Sequence, residues 1–496
     1  MSTPRELRNF IDGRESSRGT TPIVRENPTR PDEIVGSVIA ADVPEAGRAV
    51  EAALRAGRPW AGRHVRERID LVARAWQTAV ESTDLPALLT AELGKPLADS
   101  RNELEFASRY CAYVLEHAED VLRDREQDGA DQVLFRKVPY GVVVAIVPWN
   151  VAVLASCMKI IPALVSGNTA VVKPSPLAPL TATSLLREMA KVLPRGVLNV
   201  VNGDGDVGNA LVSNSAVGKI AFTGSNRVAG LIQSASAEHS TPALFELGGN
   251  DVAIVMADAP LSDAHLARLV MASFLTSGQV CMAVKRILVA DTIFDDFLTR
   301  YLEIAEQLLL MGDPATNTVT VGPLVTAAHR AKVTQIVDQS VGDDGETIPL
   351  GRSLVEEHRV ASGYFMHPRC VVGAPLDSRL WAEEQFGPVV PIRTFSSVEE
   401  AILVANDTPF GLCASLWTAD EDRAFDVARQ LDVGTVFVNA HGRSGMSLTT
   451  PFGGVKASGH GRELGLEGIE EFAQTQVISC LEQPHIDDLR QASRYA

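Results

Sequence analysis

Cys281 closes the run Phe274-Leu275-Thr276-Ser277-Gly278-Gln279-Val280-Cys281, and Glu246 stands upstream in Phe245-Glu246-Leu247-Gly248-Gly249. Together they could do covalent chemistry on a carbonyl. A cysteine attacks as its thiolate, so its surroundings must lower the thiol pKa or offer a base. Gly278 permits the sharp turn that would present the thiol. A carboxylate entering an apolar segment is costly unless it is paired or working. Burial would raise its pKa and make it a general base able to activate water. Asn150, after Pro148-Trp149, ends an expected strand, where its amide could donate to a developing oxyanion. The backbone N–H of Cys281 would be the second donor. Taken one at a time, these residues also read as a buried thiol in a turn, a glutamate satisfied by backbone amides, and a turn asparagine.

Such groups need a rigid frame, and the chain predicts one. From 140 to 245, short β-branched runs alternate with helical patterns: strands at 141–147, 169–172, 197–201 and 219–222, helices at 154–164 and 180–192. A second series follows, with strands at 251–255, 286–289, 389–394 and 434–438 and helices at 263–275 and 294–309. Strands separated by crossover helices imply parallel sheets, hence an α/β fold. Before residue 120, apolar spacing predicts helices at 44–54 and 68–93 after a short β segment. Residues 342–363 are polar and Gly-rich and predict a surface excursion. A charged run at 123–131 precedes Val133-Leu134-Phe135, and 474–481 is a further strand candidate.

Gly203-Asp204-Gly205-Asp206-Val207-Gly208 satisfies G-x-G-x-x-G. The usual dinucleotide fingerprint also wants an acid about 20 residues later, for the ribose. That region reads Ile220-Ala221-Phe222-Thr223, so the match is formal only.

Composition narrows the classes. The 496 residues exceed one typical domain, and 46% apolar content supports a large core. A net charge of −17 argues against nucleic acid and anionic membranes as partners. Apolar runs are strand-length, well short of the roughly 20 residues a spanning helix needs. The opening Met1-Ser2-Thr3-Pro4-Arg5-Glu6 lacks the apolar stretch of a signal peptide. The six cysteines form no Cys-x-x-Cys pair, which predicts neither a metal site nor a disulfide framework and fits a reducing cytoplasm.

In order, Pro148-Trp149-Asn150, Glu246-Leu247-Gly248-Gly249, Gly278-Gln279-Val280-Cys281 and Glu384-Gln385-Phe386-Gly387-Pro388 closely resemble the NAD(P)-dependent aldehyde dehydrogenase superfamily. Asn406-Asp407-Thr408-Pro409-Phe410-Gly411-Leu412 and Pro451-Phe452-Gly453-Gly454-Val455-Lys456 match too. The likeness runs from about residue 25 to 480. It implies a Rossmann-type cofactor domain (1–120 and 140–247), an α/β catalytic domain (248–470) and a small β oligomerisation arm (121–139 and 471–496). It implies a homodimer or homotetramer. Catalysis would fall to Cys281, Glu246 and Asn150. NAD, or NADP, would be held by Trp149, Lys173, Ser175, Gly205, Thr223, Gly224, Ser225, Leu247, Glu384 and Phe386. Within this set, Thr223-Gly224-Ser225 opens a helix toward the pyrophosphate, Lys173 reaches the adenosine ribose and Glu384 the nicotinamide ribose. Glu463 and Lys159 match positions sometimes given to a proton path, though such residues are commonly just solvated.

Departures accompany the match. Pro176 stands where NAD-preferring members often carry a Glu, Thr276 replaces a frequent Asn, and Asn250 a frequent Lys. Val151, Leu154, Met158, Leu275, Met282 and Met446 fall where the family lines its aldehyde tunnel. Their apolar character predicts a medium-chain or aryl aldehyde, unless Arg443 pairs with a substrate carboxylate. The alternatives are a dehydrogenase that passes the acyl group to coenzyme A and a non-catalytic binding protein of the same fold.

Overall fold

Val142–Ile146 is a five-residue run of Val, Ala and Ile buried along its whole length. Such a run suits a central parallel strand covered on both faces. In the computed structural model, which describes residues 5–127, 132–342 and 345–480, it lies inside an eight-stranded sheet. The spatial order is Gly459–His460, Ala243–Glu246, Val217–Thr223, Val142–Ile146, Thr169–Lys173, Leu198–Val200, Phe10–Ile11, Arg14–Glu15. The five strands from Ala243–Glu246 to Leu198–Val200 are parallel. From Val142–Ile146 the chain builds outward to one side through Thr169–Lys173, then returns to the other through Val217–Thr223. That reversal opens a crevice at the carboxyl ends of the strands, where α/β sheets bind ligands.

The second sheet has seven strands, ordered Glu346–Pro349, Arg369–Val372, Val389–Phe395, Arg286–Ala290, Val252–Val255, Cys413–Trp417, Thr435–Val438. Only Glu346–Pro349 runs antiparallel to its neighbour. The excursion expected at 342–363 therefore contributes an edge strand, and Arg352–Ser353 pairs with Leu310–Met311. The helix expected at 68–93 is two helices, Val65–Ser82 and Leu85–Leu93. Asp84 breaks it: its carboxylate accepts from Ala87 N at 3.1 Å, and Pro86 follows in the first turn. Helix Ala327–Asp338 had no counterpart in the sequence reading.

The last strand, Ala473–Cys480, pairs antiparallel with Gln132–Pro139, which pairs with Arg125–Gln127. These are the described parts of the expected arm; 128–131 and 481–496 lie outside the described residues. From Gln474 onward the terminal strand is exposed.

Candidate active site

The segment before Cys281 is backbone under constraint. Helix Asp263–Phe274 ends, and Thr276 (φ +52°), Ser277 (φ +59°) and Gly278 (φ +72°) follow in the left-handed region. Two non-glycine residues there are costly and persist only when their surroundings over-determine them. The surroundings do. Asp99 Oδ2 accepts from Thr276 N at 3.1 Å and from its hydroxyl at 3.3 Å. Ser277 Oγ donates to Gly322 O at 2.8 Å and accepts from Gly322 N at 3.1 Å. Gln279 Oε1 accepts from Val325 N at 3.0 Å. A Cβ on Gly278 would lie 2.2 Å from Gly387 O. The helix ends one residue short of the 263–275 expected from sequence, and a pinned turn carries Cys281.

Cys281 is partly exposed. Its thiol is pushed up to about 12 by burial, then by the Glu384, Asp251 and Glu246 carboxylates, with Lys285 opposing. The lowered thiol pKa that the sequence reading allowed for is therefore absent from the protein alone. Burial is the main physical reason, and three nearby negative charges add to it.

Glu246 ends strand Ala243–Glu246 and is 4% exposed. Burial and neighbouring Glu463 raise its pKa well above the usual carboxylate range, against the pull of Lys159 and Arg462. Its Oε1 has no hydrogen-bond partner among the described residues. Behind it, Lys159 Nζ donates to Glu463 Oε1 at 2.5 Å and to Thr223 Oγ1 at 2.7 Å. Lys159 and Glu463 are therefore buried, not solvated as such residues commonly are.

Asn150 follows the turn after Val142–Ile146 and is buried. Its amide donates to Gln279 O at 3.0 Å, two residues before Cys281. Lys95 holds the backbone carbonyl of Asn150 at 3.2 Å and pairs with Glu103 at 2.5 Å. Glu103 in turn accepts from Val153 N and Leu154 N. Sequence reasoning missed Asp99, Lys95, Glu103 and Lys285. Only Lys285, a cation opening the apolar strand Arg286–Ala290, left a local signal.

The expected cofactor residues gather at the crevice. Trp149 and Phe386 meet edge-on with ring centroids 5.5 Å apart, and His329 contacts both. Phe386 is held at φ +54°, its carbonyl 2.7 Å from His329 Nε2. Glu384 Oε1 accepts from Gly249 N at 3.1 Å, and burial raises its pKa to about 7. Lys173 is buried, donates to Gly203 O at 2.8 Å, and is lowered by burial to about 8. Gly205 opens helix Gly205–Val212, and Gly208 leaves room for the Lys173 stem, 3.3 Å from where a Cβ would sit. Ser175 Oγ accepts from Leu177 N at 3.3 Å. Gly224 N donates to Glu246 O at 3.1 Å, and Leu247 N donates to Ser458 O at 3.0 Å.

Two expected hydroxyls are already engaged. Ser225 Oγ caps its own helix, Asn226–Ser236, through Val228 N, and Thr223 Oγ1 accepts from Lys159. The helix N-terminus beside the crevice and the buried Lys173 without a carboxylate in contact still suit an anionic dinucleotide.

A cavity of about 520 Å³ abuts the cysteine turn through Val280 and Met282. Val151, Leu154, Leu275 and Met446 line it as expected. Met158 does not; it packs in the core beneath, 9% exposed. Phe106 and Tyr113, on helix Leu97–Val121, add aromatic walls that the tunnel reading did not include. Arg443 also reaches the cavity, but its guanidinium lies 3.4 Å from Asp99.

Known proteins give this geometry its context. The sequence model of the aldehyde dehydrogenase family matches residues 14–478. Geranial dehydrogenase of Castellaniella defragrans is 35% identical over 462 residues, 91% of this chain and 94% of that protein. The NADP(+) succinate-semialdehyde dehydrogenase of Escherichia coli is 34% identical, covering 91% and 93%. The structure of betaine aldehyde dehydrogenase from Staphylococcus aureus in complex with NAD+ superimposes with a TM-score of 0.90 at 29% identity, covering 97% of this chain and 95% of that one. Similarity spans nearly the whole chain in sequence and in structure alike, and the chain therefore belongs to the aldehyde dehydrogenase family, as an NAD(P)-dependent enzyme.

Proposed function

We propose that the protein oxidises an aldehyde to its carboxylic acid through a thiohemiacetal and a thioester on Cys281. The observation that carries this reading is the buried Glu246 carboxyl, with an unpartnered oxygen, in the electrostatic field of Cys281. A water-activating base serves hydrolysis and would be idle if the acyl group passed to coenzyme A.

Cys281 sulfur adds to the aldehyde carbon. Asn150 spends one amide hydrogen on Gln279 O, which orients the group and leaves the second N–H for the oxyanion, beside the Cys281 N–H. The bound nicotinamide cofactor supplies hydride acceptance. Glu246 then takes a proton from water as the oxygen attacks the thioester carbon. The C–S bond breaks, the acid leaves and the thiol is restored.

Residues 1–120 and 140–247 would bind the cofactor, 248–470 catalyse, and 121–139 with 471–496 join subunits of a homodimer or homotetramer. The apolar walls Phe106, Val151, Leu154, Leu275 and Met446 and the commitment of Arg443 to Asp99 support a medium-chain or aryl aldehyde over a charged semialdehyde, whereas Arg109, also on the lining, is the cation that would favour the latter. NAD is preferred modestly. Pro176 offers a 2′-phosphate neither repulsion nor a donor. Pro176→Glu should therefore weaken NADP more than NAD, and an unchanged ratio of the two kcat/KM values would place residue 176 away from the ribose.

The central test pairs two variants. Cys281→Ala should abolish turnover while leaving cofactor binding intact; residual turnover above a few per cent of wild type would reject the nucleophile. Glu246→Gln should keep a burst of reduced cofactor and then nearly stop. In wild type the raised Glu246 pKa makes deacylation climb with pH, because the base works only when deprotonated. A burst lost together with turnover would put Glu246 before hydride transfer.

A further inference from the structure

Five lysines are buried: Lys95, Lys159, Lys173, Lys219 and Lys285. Burying an ammonium is expensive unless an anion answers it. Lys95, Lys159 and Lys219 each meet a glutamate at 2.5 Å, namely Glu103, Glu463 and Glu471. Lys173 faces the crevice proposed for the cofactor. Lys285 differs from all four. It is 1% exposed, donates to Gly278 O at 2.6 Å, and lies 5.1 Å from the centroid of the Phe386 ring. No carboxylate is in ion-pair contact with it among the described residues.

The groups around it have other partners. Glu384 and Asp251 feel the Lys285 charge, but neither is in ion-pair contact with it, and Glu384 is hydrogen-bonded by Gly249 N. Asp251 accepts from Cys413 N at 3.1 Å and stands 3.5 Å from His441 Nε2. Glu246 shares the field of Glu463, Lys159 and Arg462. His329 and Lys332 lie on the Phe386 and Glu384 side and carry no negative charge. Lys285 folds back across the loop that holds Cys281, a free thiol, and its hydrogen bond closes that loop onto Gly278. The anion still to form on that loop is the Cys281 thiolate.

We infer that Lys285 is the counter-charge of the Cys281 thiolate, a positioning residue that favours the thiolate as it forms, without touching the aldehyde. The inference rests on the nucleophile reading above. The field at Cys281 agrees with it: three carboxylates push the thiol up, and Lys285 is the cation that opposes them.

The test is the rate of Cys281 alkylation by iodoacetamide, a neutral reagent, followed by mass spectrometry of the Cys281 peptide across pH. Lys285→Met and Lys285→Gln should each raise the thiol pKa by about one unit, so alkylation below the midpoint falls roughly tenfold. The glutamine can still donate to Gly278 O, so it separates charge from anchoring. Lys285→Arg should stay near wild type, and the burst rate should fall in parallel with alkylation at unchanged cofactor KM. If Lys285→Gln alkylates like wild type, the inference is wrong. If cofactor KM rises while alkylation holds, Lys285 serves Glu384 instead. Neither outcome touches the nucleophile reading, which fails separately if Cys281→Ala still turns over.

Discussion

A buried carboxylate oxygen without a partner costs on the order of 1–3 kcal/mol or more, and Glu246 carries that cost against a net stability of about 5–15 kcal/mol for a typical domain. Holding its pKa high softens the cost, since the neutral acid tolerates burial better than the anion. Rising pH therefore favours the proposed base in its working, deprotonated form. Asn150 illustrates the opposite economy, because one amide does two jobs. Asn150→Ala should remove an oxyanion donor, lowering kcat about 100- to 1,000-fold, or roughly 3–4 kcal/mol of transition-state stabilisation. It should also cost about 1 kcal/mol of stability, because Gln279 O loses its donor. Cofactor affinity should hold. A variant with normal kcat and weak cofactor binding would move Asn150 to the cofactor site.

At the scale of elements, the turn Thr276-Ser277-Gly278 decides where the thiol points. Its left-handed backbone is braced from three directions: Asp99 on helix Leu97–Val121, Gly322, and Lys285 at the start of the next strand. The brace at Gly278 is also steric. Gly278→Ala combines φ +72° with a Cβ 2.2 Å from Gly387 O, so the strand–loop contact at Gly387 must shift. We expect a loss of more than about 1–2 kcal/mol in denaturant unfolding, and a larger proportional fall in kcat/KM, because the displaced turn carries Cys281. Thermal stability and activity equal to wild type would show that the turn tolerates a second geometry.

At the scale of the molecule, the chain between Phe452 and Ala473 returns from the second sheet to the first. Gly459–His460 pairs with Ala243–Glu246, Glu463 reaches Lys159 across 304 residues of sequence, and Phe472 O accepts from Asn168. This return closes the floor under Glu246. Gly453 has no room for a side chain there, since a Cβ would lie 2.9 Å from Glu246 Oε1. Glu463→Ala strands a fully buried ammonium, and breaking such a pair typically costs about 3–5 kcal/mol. Urea unfolding should read that loss, with Glu463→Gln milder because an amide oxygen can still accept. A change below about 1 kcal/mol would mean that water reaches Lys159.

Local pattern was enough for the frame. Buried Val and Ala runs announce the central strands, because a parallel strand covered on both faces favours apolar residues along its length. The ordered motifs predicted one site for Cys281, Glu246 and Asn150; in the structure Gln279 joins the Asn150 and Cys281 segments, and Glu246 acts on the thiol through its charge. Helix ends were less legible: Asp84 splits one helix because a side-chain cap outweighs continuous apolar spacing. Tertiary structure alone decided the rest. Met158 turns into the core while its expected fellow tunnel residues face the cavity, a matter of helix rotation against the sheet. Ser225 spends its hydroxyl on a cap, and Thr223 on Lys159. The Cys281 thiol stands high because the fold buries it and because carboxylates from two distant segments, Glu384 and the pair Glu246 and Asp251, converge on it. Charge interactions depend on distance in space, which sequence spacing does not record, whereas the hydrophobic period is written into neighbouring residues.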